Sequence, residues 1–133
     1  MATPHETLAA VRTELLALHQ SLLHAERAEL ERSEGAITPN QFLQLLIQDP
    51  RFAWLRPITE LIVQMDEAVA AARKGNAPLD AAQAGPLLDQ ARALIAMPSG
   101  ASDFATRYQM WLGQDAALRD AHGRVDALLS ARA

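Results

Sequence analysis

Three cap-and-proline pairs constrain this chain more than any other feature: Thr3-Pro4, Thr38-Pro39 and Asp49-Pro50. Thr and Asp accept hydrogen bonds from the free N–H groups of a helix's first turn. Proline is preset for the first helical position, where its missing N–H costs nothing. Glu6 and Gln41 each lie three residues after a capping threonine, which completes two capping boxes. A chain that declares helix starts this way folds as helices.

The apolar pattern agrees. Leu8, Val11, Leu15, Leu18 and Leu22 follow the 3.6-residue period, and the first helix is expected from about residue 4 to about 33, with Gly35 just past its end. Beyond Leu22 the stripe weakens, and Glu26 and Glu29 fall where apolar residues would continue it, so Glu26 is expected at the solvent edge. A short apolar helix, FLQLLI, follows Thr38 and stops at Asp49-Pro50, because the residue before proline is pushed out of helical geometry. DPRFAWL begins a new turn, and Pro57 kinks or restarts it. Leu61, Ile62, Met65, Val69 and Ala72 continue a helix to Gly75. The next helix is secure over 86–97, with an earlier turn at 79–84 broken at Gly85-Pro86. A single last helix carries Phe104, Tyr108, Trp111, Leu118, Val125 and Leu129 on one face, supported by Asp103–Arg107, Asp115–Arg119 and Asp120–Arg124 at i, i+4. No alternating β-branched or aromatic run reads as a strand. The expected fold is all-α: a single-domain, four-helix up-and-down antiparallel bundle. A short extra helix lies between the first two long ones, and a proline kink near Pro57.

Composition narrows function by exclusion. Twelve basic against sixteen acidic residues leave a net charge of −4, which argues against a nucleic-acid binder. There is no Cys, so thiolate catalysis and Cys-based zinc sites are excluded. The N-terminal residues lack the basic leader and apolar run of a secretory signal, and no stretch approaches the ~18 apolar residues of a membrane span. The expectation is a soluble, cytoplasmic chain. Ser and Thr show no nucleophile motif and no Gly-rich phosphate loop is present.

Four polar residues stand on apolar lines. His19 and Glu26 share the line of Leu8 and Leu15; Asp115 and His122 share that of Phe104, Trp111 and Leu129. If facing residue numbers of the antiparallel first and last helices sum to about 141, two His and two carboxylates gather in adjacent layers, which suits a divalent metal. At a sum of about 134, His19 meets Asp115 in a plain hydrogen bond. Asp66 is a further contributor to such a site. Set against this, each residue can pair locally, Asp115 with Arg119 and His122 with Asp126, and the Glu-x-x-His pairs of di-iron bundles are absent. His5 and His24 read as solvated. Around the corner, Arg51 and Arg56 flank Phe52 and Trp54, residue types favoured at binding hot spots, so these four are candidate partner contacts.

The stretch DPRFAWLRPITELIVQMDE resembles a segment of small bacterial all-helical proteins that carry no established activity. The likeness covers about residues 40 to 70. It implies a bacterial origin and a helical fold, and no catalytic residue. The reading that follows is a non-catalytic module that binds a protein partner or itself, with a homodimer as one form. The alternative is a bundle binding a metal or small ligand through His19, Glu26, Asp115 and His122.

Overall fold

The computed structural model describes residues 2–131. These form six α-helices and one 3-10 segment: α1 (Pro4–Glu34), α2 (Pro39–Gln48), the 3-10 segment (Pro50–Leu55), α3 (Arg56–Lys74), α4 (Ala81–Ala96), α5 (Asp103–Gln114) and α6 (Ala116–Ser130). The chain is all-helical, with no strand among the described residues. No described helix is long and apolar enough to cross a membrane.

The helix starts follow the caps. Thr3 Oγ1 accepts from the Glu6 N–H at 3.1 Å, and Thr38 Oγ1 from the Gln41 N–H at 3.1 Å. Asp80 and Gln83 form a third box, at 2.9 and 3.0 Å. Gly35 ends α1 at φ 87°, a left-handed conformation that side chains other than glycine resist.

Leu8, Val11, Leu15, Leu18 and Leu22 on α1 are fully buried. They pack against Ile58 and Met65 of α3, Leu88 and Ala91 of α4, and Leu118, Val125 and Leu129 of α6, all in one core. Polar pairs along α1 give the directions. His19 meets Thr59 while Arg12 meets Asp66, so α3 runs opposite to α1. Glu14 meets Arg124 while Glu26 meets Arg107, so α5 and α6 run opposite to it as well.

Three expectations are corrected. The last helix is two helices, broken at Asp115, whose backbone is extended (φ −117°, ψ 115°). Its carboxylate accepts from the Leu118 N–H at 2.9 Å and starts α6. Gly113 lowers helix propensity just before the break, and an aspartate able to cap takes the opening. The second correction concerns α4, which is continuous through Gly85-Pro86. Asp80 starts it earlier than the breaker pair suggests, and one missing hydrogen bond does not end a helix whose Ala84, Gly85 and Leu88 are buried. The third is partial: of the kink or restart expected at Pro57 the structure shows a restart, with the proline in the first turn of α3, where the 3-10 segment hands over to α-helix.

α2 stands apart. Only Phe42 is buried in it, edge-on to Phe52 with ring centres 5.8 Å apart. Its approach is fixed from α1: Arg27 donates to the Ile37 carbonyl at 2.8 Å, and Glu31 accepts from the Ile37 N–H at 3.0 Å.

Pro86 cannot donate to the carbonyl four residues back, yet its ring is exposed. Pro86→Ala restores that bond and is expected to stabilise the fold by about 1–2 kcal/mol, part of the helix gain being offset by a freer unfolded chain. Urea denaturation of the variant checks this.

Candidate functional site

The corner announced by DPRFAWLRP borders a cleft of about 1000 Å³. The C-terminal half of α1, the 3-10 segment, the start of α3 and the first turn of α5 wall it. Arg51, Phe52, Trp54 and Arg56 all line it, and so does Glu26. Their roles differ. Phe52 is a buried anchor for Phe42. Trp54 is half-buried with its ring 5.9 Å from Phe104, and its indole N–H is buried without an acceptor among the described residues. Arg51 is committed, donating to Asp49 at 2.8 and 3.1 Å and to Glu34 at 2.9 Å. Those bonds hold the Asp49 carboxyl below its ordinary range and raise Arg51 above its own. Arg56 is exposed and has no ion pair among the described residues.

One wall of the cleft is a charged cluster. Glu26, expected at the solvent edge, is only 5% exposed. Arg107 grips both its oxygens, at 2.7 and 3.0 Å, and also bonds Glu29. The Trp111 indole N–H donates to the same Glu26 carboxylate at 3.0 Å, while its ring lies under the guanidinium at 5.4 Å. This corrects the Asp103–Arg107 pairing expected along the helix. A solvated neighbour at i, i+4 contributes a few tenths of a kcal/mol. A bidentate bond to a desolvated carboxylate contributes more, and leaving that carboxylate alone would cost several kcal/mol. Hydrogen bonding to Glu26 raises the Arg107 pKa, so the guanidinium stays charged at any ordinary pH.

The four polar residues proposed from the apolar lines go to separate partners. His19 Nε2 sits 3.3 Å from Thr59 Oγ1. Glu26 is held by Arg107 and Trp111. Asp115 caps α6, and Asp66 pairs with Arg12 at 2.9 Å. His122 meets Tyr108, Nδ1 to hydroxyl, at 2.5 Å. Among the described residues no group of three or more His, Asp or Glu side chains is placed to hold a metal. Burial raises the Tyr108 pKa, so the phenol keeps its proton at ordinary pH. Tyr108 also stacks on Phe104 at 5.3 Å, continuing the aromatic row from Trp54. His5 is not merely solvated: its Nδ1 accepts from the Leu79 N–H at 3.1 Å and ties the start of α1 to the approach to α4.

A second, smaller groove of about 330 Å³ lies on the other side of the corner, between α1, α2 and α3. His19, Leu23, Leu46, Ile47, Arg56 and Thr59 are among its walls. The large apolar side chains left exposed in the described residues are Ile47 (69%), Leu43 (50%), Val63 (47%) and Leu16 (42%). Ile47 lines the groove, and Leu43 lies one turn before it on α2. Leu16 and Val63 lie one turn from His19 and Thr59, between that pair and the Arg12–Asp66 pair. Helix spacing thus places Leu43 beside Ile47 on α2, and Leu16 and Val63 beside the His19–Thr59 pair that walls the same groove. α2, PNQFLQLLIQ, contributes no charged side chain to it.

No family model, no curated protein and no solved structure matches the chain.

The charged cluster is testable by truncation. Glu26→Gln keeps the shape but leaves the Arg107 charge with one weaker partner. It is expected to destabilise the fold by about 2 kcal/mol, below the ~3–5 kcal/mol of a fully buried pair because Arg107 reaches solvent. A double-mutant cycle with Arg107→Met should show strong coupling; additive losses would mean the two residues act independently.

Proposed function

We propose that this chain is a non-catalytic, self-associating interaction module, and that the face of α1, α2 and α3 binds a second copy of the same chain. The observation that carries this reading is the grouping of Leu16, Leu43, Ile47 and Val63 on that one face. Scattered exposed apolar residues need no explanation, but a contiguous group marks an interaction surface.

The charge pattern favours a second copy as the occupant. Interface cores are depleted of charge, and α2 has none although about a fifth of the chain is charged. Two molecules of net charge −4 repel each other, and the uncharged surface of α2 is where they approach with least opposition. Flanking glutamines, Gln44 and Gln48, can donate and accept, which suits the self-complementary contacts of a two-fold axis. Of the four corner residues, Arg56 borders the groove directly, Phe52 supports α2 from below, and Arg51 and Trp54 face the larger cleft.

The scaffold behind this face fits an up-and-down antiparallel bundle of four rods: α1, α3, α4 and the broken rod α5–α6, with α2 as the extra helix. The opposed pairings of α1 with α3 and with α5–α6 support it. Arg92 of α4 bonding the Leu129 carbonyl of α6 adds a link between the remaining rods.

Sedimentation velocity at about 0.1 mM protein tests the reading. The expected species has twice the 14.5 kDa chain mass. Leu43→Glu with Ile47→Glu should weaken pairing by at least about a hundredfold, since each buried Leu or Ile contributes about 1.5–3 kcal/mol. Helicity should be unchanged, because neither side chain belongs to the core, and the melting temperature should fall only by what pairing itself contributes. A monomer at this concentration overturns the reading.

A further inference from the structure

Resting on the second-copy reading above, we propose that His19 makes the pairing pH-dependent: protonation of its imidazole in the α1–α2–α3 groove separates the two copies.

The groove is built to hold a neutral imidazole. The Thr59 hydroxyl donates to the Leu55 carbonyl at 3.1 Å, which leaves its oxygen free to accept from His19 Nε2 at 3.3 Å. One N–H is thereby satisfied, and a neutral ring has no second to place. An imidazolium would carry a second N–H, on Nδ1, which has no hydrogen-bond partner among the described residues, in a groove whose walls include Leu23, Leu46 and Ile47.

Among the described residues no charged group lining the groove would welcome that cation. α2 contributes no charge. The 3-10 segment contributes Arg51, already bound to Asp49 and Glu34. α3 contributes Arg56, another cation, at the groove itself. The α3 carboxylates are placed elsewhere: Glu60 lines the opposite cleft, Asp66 is taken by Arg12, and Glu67 borders a separate hollow with Arg73 and Lys74. On α1, Glu14 is taken by Arg124 and Glu26 by Arg107. Burial already lowers the His19 pKa in the single chain. A second copy laid over the groove removes more water and pushes the same way.

The sign follows. The neutral form is favoured more in the pair than in the free chain, so pairing is complete above the free chain's His19 titration and weakens as pH falls through it. General electrostatics predicts the opposite. With a pI near 5.5, acidification removes the net negative charge and by itself tightens association.

The experiment is sedimentation velocity of the wild type and of His19→Leu at about pH 8 and about pH 5.5, with far-UV circular dichroism at both. The expected result is a wild-type pair at pH 8 that weakens about tenfold or more at pH 5.5, with helicity intact. His19→Leu should pair at both values, with affinity equal or tighter in acid. A wild type that stays paired at pH 5.5 overturns the His19 proposal and leaves self-association standing. A His19→Leu variant that dissociates in acid like the wild type overturns it too, as does dissociation accompanied by loss of helicity. A wild-type monomer at pH 8 removes the self-association reading, and this proposal with it.

Discussion

Everything in this structure is arranged around one 31-residue helix, α1, whose apolar stripe must be covered along most of its length. Five of its side chains, from Leu8 to Leu22, are fully buried. At about 1.5–3 kcal/mol each, they outweigh any single polar contact in the chain. α3, α4, α5 and α6 all pack on this rod. Where the stripe gives way to Glu26, the coverage continues and the chemistry changes. A carboxylate shielded by Trp111 takes two hydrogen bonds from Arg107 and one from the indole N–H. The cluster thus extends the covered length of α1 by one more turn and closes the bundle end beside the corner.

How much of this was legible depended on distance along the chain. Helix starts at Thr3, Thr38 and Asp49 were readable because capping is settled within four residues. The core face of α1 was readable because periodicity is local too. Arg107 was misassigned because its competing partners differ in burial: Asp103 is close in sequence and exposed, while Glu26 is 81 residues away and desolvated. Asp115 was ambiguous for a related reason. An aspartate on an apolar line serves equally as a buried ligand or a cap, and only the packing of α5 against the 3-10 segment and α1 decides where the rod breaks. Pro86 misled in the other direction, because a breaker pair carries no information about the burial of its neighbours.

The candidate site divides in the same way. The corner and its aromatic anchors followed from DPRFAWLRP, and all four marked residues do border one cleft. The sequence could not say that Phe52 serves as a buttress, or that Arg51 is consumed by Asp49 and Glu34. His19 stood out as polar on an apolar line, but its partner is Thr59 at the rim of the stripe and not another ligand across the bundle. The uncharged run of α2 was visible from the start, yet its meaning depends on exposure. The same Leu and Ile pattern, turned inward, would have been core.

Two surfaces thus flank one short segment, and they differ in character. In the larger cleft the guanidinium groups of Arg107 and Arg51 are both committed. The smaller groove and its surroundings leave apolar side chains in water and a histidine without a carboxylate. The central claim is that this second surface faces another copy of the chain. Because the protein contains no cysteine, one introduced at a time reports a single position. The most direct measurement is the dipolar distance between spin labels on Gln48→Cys, compared with Ala93→Cys on α4, both exposed. The account predicts a dipolar signal for each and a clearly shorter distance for the α2 label, which lies beside the two-fold contact. The absence of a signal from either label, or a shorter distance on α4, would contradict it.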